Sequence, residues 1–171
     1  MAEITHIESR RTASAPAAAR RSDLVRCVYI PLREGALLLP NTAVAEVIGA
    51  MAPEPLAGAP AWLMGRLTWR ERRIPLVSFE AASGGEPAPP NRDSRIVVLN
   101  TLNGNQRMPY IGILSQAIPQ LRLASERNLV GDSEVSVHEQ SVASYVKVDG
   151  ESAIVPDLDD IERRLVQLQH G

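Results

Sequence analysis

The run GRLTWRERRIPLVSF, residues 65–79, reads as two short strands joined by a charged turn. GRLTW from Gly65 and IPLVSF from Ile74 are apolar and β-branched, and Arg70-Glu71-Arg72-Arg73 between them interrupts any helical period. The same grammar extends outward in both directions: VRCVYIP from Val25, ALLLP from Ala36, RIVVLN from Arg95, PYIGIL from Pro109 and SYVKV from Ser144. Turns fall at Arg33-Glu34-Gly35, Asn103-Gly104 and Asp149-Gly150, where Gly, Asn and Asp reach positive φ cheaply. Four hairpins are therefore predicted. Strands this short, recurring every ten residues or so, indicate a mainly β fold of barrels or a sandwich, because no helical crossover of sufficient length separates them.

Three segments depart from that pattern. Residues 1–23 show neither a helical nor a strand period and are expected to form a disordered tail; the folded body is expected to span 24–171. AASGGEPAPPNRD, 81–93, is rich in Gly and Pro and predicts a flexible loop between two halves. From Asp157, DLDDIERRLVQLQ places Leu158, Ile161, Leu165 and Leu168 on one face, an amphipathic C-terminal helix with acidic residues in its first turn.

The chain has 171 residues, 44% apolar and 22% charged, with 18 basic against 20 acidic side chains and a net charge of -2. That is the composition of a globular domain holding one core, or two small cores sharing a wall. The balance of charge supplies no general attraction to nucleic acid or to an anionic membrane. A single cysteine, Cys27, excludes an intrachain disulfide and a zinc site built on several thiolates, and fits a reducing compartment. The most apolar stretch, 45–65, is interrupted by Glu46, Glu54, Pro53, Pro55 and Pro60, so direct membrane insertion is not expected. The N-terminal end lacks the apolar core of a secretory signal. A cytoplasmic location is expected.

Catalytic constellations are not evident. His6, His138 and His170 are scattered and predict no metal site. Ser115 lacks a nucleophile elbow, and Cys27 lies within a strand, so both read as buried filler. Asp157, Asp159 and Asp160 read as capping of the C-terminal helix. SGGEP at 83 lacks the flanking strand, helix and lysine of a phosphate loop. The basic hairpin WRERR opens one alternative, a small-barrel nucleic-acid binder using Arg66, Arg70, Arg72 and Arg73. Such platforms stack bases on aromatics, however, and the chain has two Trp, three Tyr and one Phe. A second alternative is an enzyme built on Glu46 and Asp157 around a shared pocket.

The order of motifs resembles the CheW-like chemotaxis coupling domain. CVYIPLREGALLLP followed by Val44-Ala45-Glu46-Val47-Ile48 is similar to that family's first two strands and its Val-x-Glu-Ile segment. PEPLAGAPAWLMGRLTWRERRIPLVSF is similar to its Pro-containing linker, Gly-hydrophobic hairpin and Pro-hydrophobic strand, with Gly65, Arg70 and Pro75 at the family spacing. RIVVLN, IGILSQAI and VDGESAIVPDL continue the match, which covers residues 24–169. The chain departs from the family pattern at Arg66, Trp69, Glu71 and Gln116.

The resemblance implies two small SH3-like β-barrel subdomains and a non-catalytic adaptor with no cofactor and no metal. Its implied partners are the cytoplasmic tip of a methyl-accepting chemoreceptor and the regulatory domain of a chemotaxis histidine kinase, in chemotaxis or twitching motility. The divergence is similar to that of accessory members from type IV pilus chemosensory systems. Implied partner-binding residues are Val44, Glu46, Gly65 and Arg70. Read from the residues alone, the alternative is that Glu46 and Arg70 form an ion pair between neighbouring strands, that Val44 is a core residue and that Gly65 is a close-approach or bulge position in a strand. Trp62 and Trp69 are open to two readings, a partner patch or half-buried barrel residues.

Overall fold

The structure, a computed structural model, describes residues 24–135 and 139–169. Eleven strands form two sheets among these residues. The six-stranded sheet contains β1 (Val25–Pro31), β2 (Ala36–Pro40), β8 (Gln120–Ala124), β9 (Leu129–Gly131), β10 (Val142–Val148) and β11 (Glu151–Pro156), in the order β8-β1-β2-β11-β10-β9. The five-stranded sheet contains β3 (Val44–Gly49), β4 (Leu63–Trp69), β5 (Arg72–Val77), β6 (Arg95–Asn100) and β7 (Tyr110–Ser115), in the order β3-β6-β7-β5-β4. Two helices complete the fold, α1 (Phe79–Ala82) and α2 (Leu158–Gln169).

All four predicted hairpins form as antiparallel pairs, β1 with β2, β4 with β5, β6 with β7 and β10 with β11. Two parallel pairs, β2 with β11 and β5 with β7, join strands distant in the chain within each sheet. Some boundaries differ from the sequence reading. IPLVSF is a strand only to Val77; Ser78 is extended and its side chain caps α1, so Ala81 and Ala82 are helical and the Gly- and Pro-rich loop begins at Ser83. Arg72 and Arg73 lie in β5, leaving Arg70 and Glu71 as the whole turn. The predicted N-terminal tail, His6, His138 and His170 lie outside the described residues. No helix among the described residues is long and apolar enough to cross a membrane.

Continuous apolar strands arise here because both faces of a strand are buried. In β6, Ile96 and Val98 join Leu67, Trp69, Ile74, Leu76 and Leu114 in a core curled inside the five-stranded sheet. Val97 and Leu99, one residue out of phase, enter a different core. In β2, Leu38 packs with Cys27, Ala124, Val146, Val148 and Ala153 inside the six-stranded sheet, whereas Leu37 and Leu39 face the same different core as Val97 and Leu99. That third core is shared: it collects residues from both sheets together with Trp62, Phe79 and, from α2, Leu158, Ile161 and Leu165. The pleat's period of two is what sends neighbouring side chains to separate cores.

α2 closes the shared core. The Asp157 carboxylate accepts from the Asp160 amide at 3.0 Å, the predicted N-terminal cap. Leu168 falls outside the packed stripe and is 45% exposed. Arg164 binds the helix to three other places: it donates to the Ala82 carbonyl at 2.8 Å and to the Ser141 hydroxyl at 2.7 Å, and lies 4.5 Å over the Trp62 ring. The Ser141 hydroxyl in turn donates to Asp160 at 2.8 Å, and Arg163 pairs with the same carboxylate.

Burial makes Asp160 harder to charge, but hydrogen bonds from Ser141 and Arg163 and the positive charges of Arg163 and Arg164 outweigh it and hold the carboxyl below its ordinary value. A carboxyl depressed by folding stabilises the native state above its unfolded pKa, near 3.9, and loses that contribution as pH falls through the folded value. Asp160→Asn is therefore expected to lower stability by about 1–2 kcal/mol at pH 7. In urea titrations at a series of pH values the gap from wild type should narrow only below pH of about 4; a pH-independent gap would show that the charge contributes nothing.

Candidate functional site

β3 and β4 are the two edges of the five-stranded sheet, four strands apart in its hydrogen-bonded order. The sheet nevertheless curls until these edges meet at Glu46. Side chains of β3 alternate, with Val44, Glu46 and Ile48 half-buried and Ala45, Val47 and Gly49 exposed. The Glu46 carboxylate thus points toward the barrel's own core, where it accepts a hydrogen bond from Trp69 Nε1 at 2.7 Å. The same oxygen lies 3.1 Å from an Arg70 guanidinium nitrogen. An ion pair between Glu46 and Arg70 does exist, but it spans the two sheet edges rather than neighbouring strands.

Trp69 is the platform beneath this pair. It is 6% exposed, with Tyr110 packed edge-on at 4.8 Å and the Arg70 guanidinium 4.8 Å over its ring. Arg70 is held from below by a ring and from the side by a carboxylate, yet 67% of its side chain remains exposed. Its backbone is equally constrained. Trp69 pairs with Arg72, so Arg70 and Glu71 form a two-residue turn, both at positive φ, 45° and 62°. Left-handed backbone at non-glycine residues costs on the order of 1 kcal/mol each. At Glu71, one of the departures from the family pattern, that cost arises where a glycine would have avoided it.

Gly65 and Val44 occupy different settings. At Gly65 the β4–β5 register shifts and φ is 140°. Glu54 and Arg66 exchange backbone hydrogen bonds of 2.7 and 2.9 Å, which lays the segment after β3 along β4. A Cβ on Gly65 would lie 2.3 Å from the Glu54 carbonyl oxygen. Val44 opens β3 beside its own register shift and packs on the shared core. Glu46 and Arg70 are thus brought together, whereas Gly65 lies buried under the Glu54 bridge and Val44 packs on a separate core.

Trp62 and Trp69 are both core residues, which sets aside an exposed tryptophan patch. Cys27 is buried, and burial pushes its thiol up. The Ser115 hydroxyl lies 2.7 Å from the Ala117 carbonyl and 3.1 Å from that of Pro31, a structural role. Gln116 fastens the loop after α1, accepting from Asn91 through both its main-chain and side-chain oxygens. In the basic hairpin, Arg70 pairs with Glu46 and Arg73 with Glu54, so half of the four arginines are locally neutralised. Glu46 is committed to Trp69 and Arg70 and Asp157 to capping α2, which leaves no shared acid/base site between them. No group of three or more His, Cys, Asp or Glu side chains converges as a metal site among the described residues.

Sequence reasoning paired Glu46 with Arg70 but missed Trp69 as the donor that orients the carboxylate. The available signal was the departure itself, an indole where the family pattern has an aliphatic side chain.

Two curled sheets joined by a shared core and a terminal helix place the chain among small, mainly β domains. Residues 26–165 match the CheW-like domain family, and the chain belongs to it. That family is one of non-catalytic scaffolds in chemosensory signalling. Among solved structures the chain is similar to the scaffolding protein TtCheW from Thermoanaerobacter tengcongensis, with a TM-score of 0.64 and 19% sequence identity over 77% of this chain and 88% of that one. No curated protein matches.

Two substitutions probe the site. Glu46→Ala leaves the buried Trp69 N–H without its acceptor and is expected to cost about 1–3 kcal/mol of stability, whereas Glu46→Gln keeps an acceptor, loses only an exposed ion pair and should cost under ~1 kcal/mol in urea unfolding. Equal losses would mean that the charge, not the hydrogen bond, matters. Gly65→Ala forces a methyl into the Glu54 carbonyl from a left-handed backbone, and the same titration should show a loss of about 2–4 kcal/mol.

Proposed function

We propose that the chain is a non-catalytic adaptor that couples the cytoplasmic tip of a methyl-accepting chemoreceptor to the regulatory domain of a chemotaxis histidine kinase. Arg70 is its receptor-facing anchor. Glu46 and Trp69 hold that anchor in place, while Gly65 and Val44 support the hairpin and strand that carry it. The adaptor works in the cytoplasm, in a chemosensory system of the kind that controls type IV pili and twitching motility.

One observation carries this reading: an exposed guanidinium is already fixed by a carboxylate and an indole before any partner arrives. Fixing it beforehand removes part of the side-chain entropy that association otherwise costs, and arginines so placed are frequent hot spots. Family membership supports the kind of partner. The strained turn supports a function for the tip, since backbone strain is concentrated where geometry serves binding.

Binding of the purified chain to a receptor-tip fragment and to a kinase regulatory domain tests the proposal. Arg70→Ala is expected to weaken receptor binding by about 2 kcal/mol, roughly 30-fold, and to leave the thermal melt and kinase binding nearly unchanged. Collapse of the melt would make Arg70 a structural residue. Unchanged receptor affinity would remove it from the interface.

A further inference from the structure

A cleft of about 620 Å³ opens at the turn end of β1, away from the Glu46 and Arg70 hairpin in the chain. Leu32, Phe79 and Ile154 line its apolar part, and Glu34, Glu80, Glu86 and Glu139 give it four carboxylates against the one cation of Arg33. None of the four glutamates is ion-paired among the described residues. Glu80 is held only by neutral donors, the Arg33 amide at 3.2 Å and the Ser78 hydroxyl at 3.1 Å. Tyr145 also lines the cleft; its hydroxyl is buried and meets no partner at full hydrogen-bond geometry, and burial together with the neighbouring Glu139 carboxylate pushes its pKa up.

The arrangement selects its occupant by chemistry. The carboxylates do not converge as a metal site, so the surplus negative charge suits an extended organic cation with several donors. A guanidinium has five N–H donors, able to bridge two carboxylates and still reach a phenolic oxygen. The chain carries such groups itself, at Arg10, Arg11, Arg20 and Arg21, ahead of the described residues.

Chain length discriminates between the two arginine pairs. From Leu24, where the described structure begins, β1 leads to Leu32 at the cleft, at most ~26 Å along a strand rising ~3.3 Å per residue. Arg21 is three residues from Leu24 and can reach only ~10 Å, but Arg11 is thirteen residues away and can reach ~45 Å. A tether of that length presents a ligand at an effective concentration of about millimolar, well above that of a free partner. We propose that Arg10 and Arg11 of the same chain seat in the Glu34–Glu80–Glu86–Glu139 cleft, an intramolecular contact that a basic partner segment would have to displace.

The test uses the full chain with a nitroxide on Ser9→Cys; Cys27, 5% exposed, stays unmodified. At low salt the label is expected to reduce the Gly84 and Gly85 amide intensities in ¹⁵N spectra by roughly threefold or more, and ~0.5 M NaCl should restore them by screening. Arg10→Glu with Arg11→Glu, and separately Glu34→Gln with Glu86→Gln and Glu139→Gln, should abolish the attenuation, and Arg70→Glu should leave it intact. Full intensities at low salt, or attenuation that survives either set of substitutions, would overturn the proposal. So would equal attenuation when spin-labelled ¹⁴N protein is mixed with unlabelled ¹⁵N protein, because the segment would then belong to a second copy.

Discussion

The structure depends on one wall. Both sheets use it twice, because side chains that alternate along a strand enter a sheet's own core on one side and the shared core on the other. Val97 and Val98 are adjacent in sequence and sit in different cores. So do Leu37 and Leu38. A register slip of one residue would exchange the two sets, so each sheet's register is fixed by two packing surfaces at once. α2 seals the shared side, and Arg164 ties it to Ala82, Ser141 and Trp62.

Curling is the second consequence of that wall. A sheet whose inner face must enclose its own core brings its edges toward each other, and at β3 and β4 the closure is made by Glu46 on Trp69 together with the backbone bridge between Glu54, just beyond β3, and Arg66 of β4. A polar side chain at a barrel seam gains its place from the indole N–H, which would otherwise be buried without an acceptor. Arg70 then caps the seam from outside. The candidate site is therefore the visible end of the device that closes the barrel.

Most of the fold was legible because two-sided burial makes strands conspicuous. RIVVLN and ALLLP have no polar interruption at all, and their bounds match the structure. β3, β8 and β9 were not recognised as strands, for related reasons. VAEVIG carries the charged Glu46 on its inward face and the apolar Val47 on its outward face. In QLRLA the leucines face outward, Leu121 at 71% and Leu123 at 53% exposure, and Arg122 faces in over Tyr29. β9 has only three residues. A pattern reader expects apolar residues inside, and at these edges burial and hydropathy part company.

By itself the sequence determined the local structure: the turns at Gly35, Gly104 and Asp149-Gly150, the amphipathic helix with its aspartate cap, and the order of motifs that places the chain in its family. Those features depend on φ preferences and short periodicities, which act between near neighbours. Only the tertiary structure decided which core each face entered, that Glu46 would meet Trp69 across the two edges of a sheet, and that the backbone approaching Gly65 is that of Glu54. Each of those facts is a contact between residues far apart in the chain, created by the closure of sheets around three cores, and no local pattern encodes the partner.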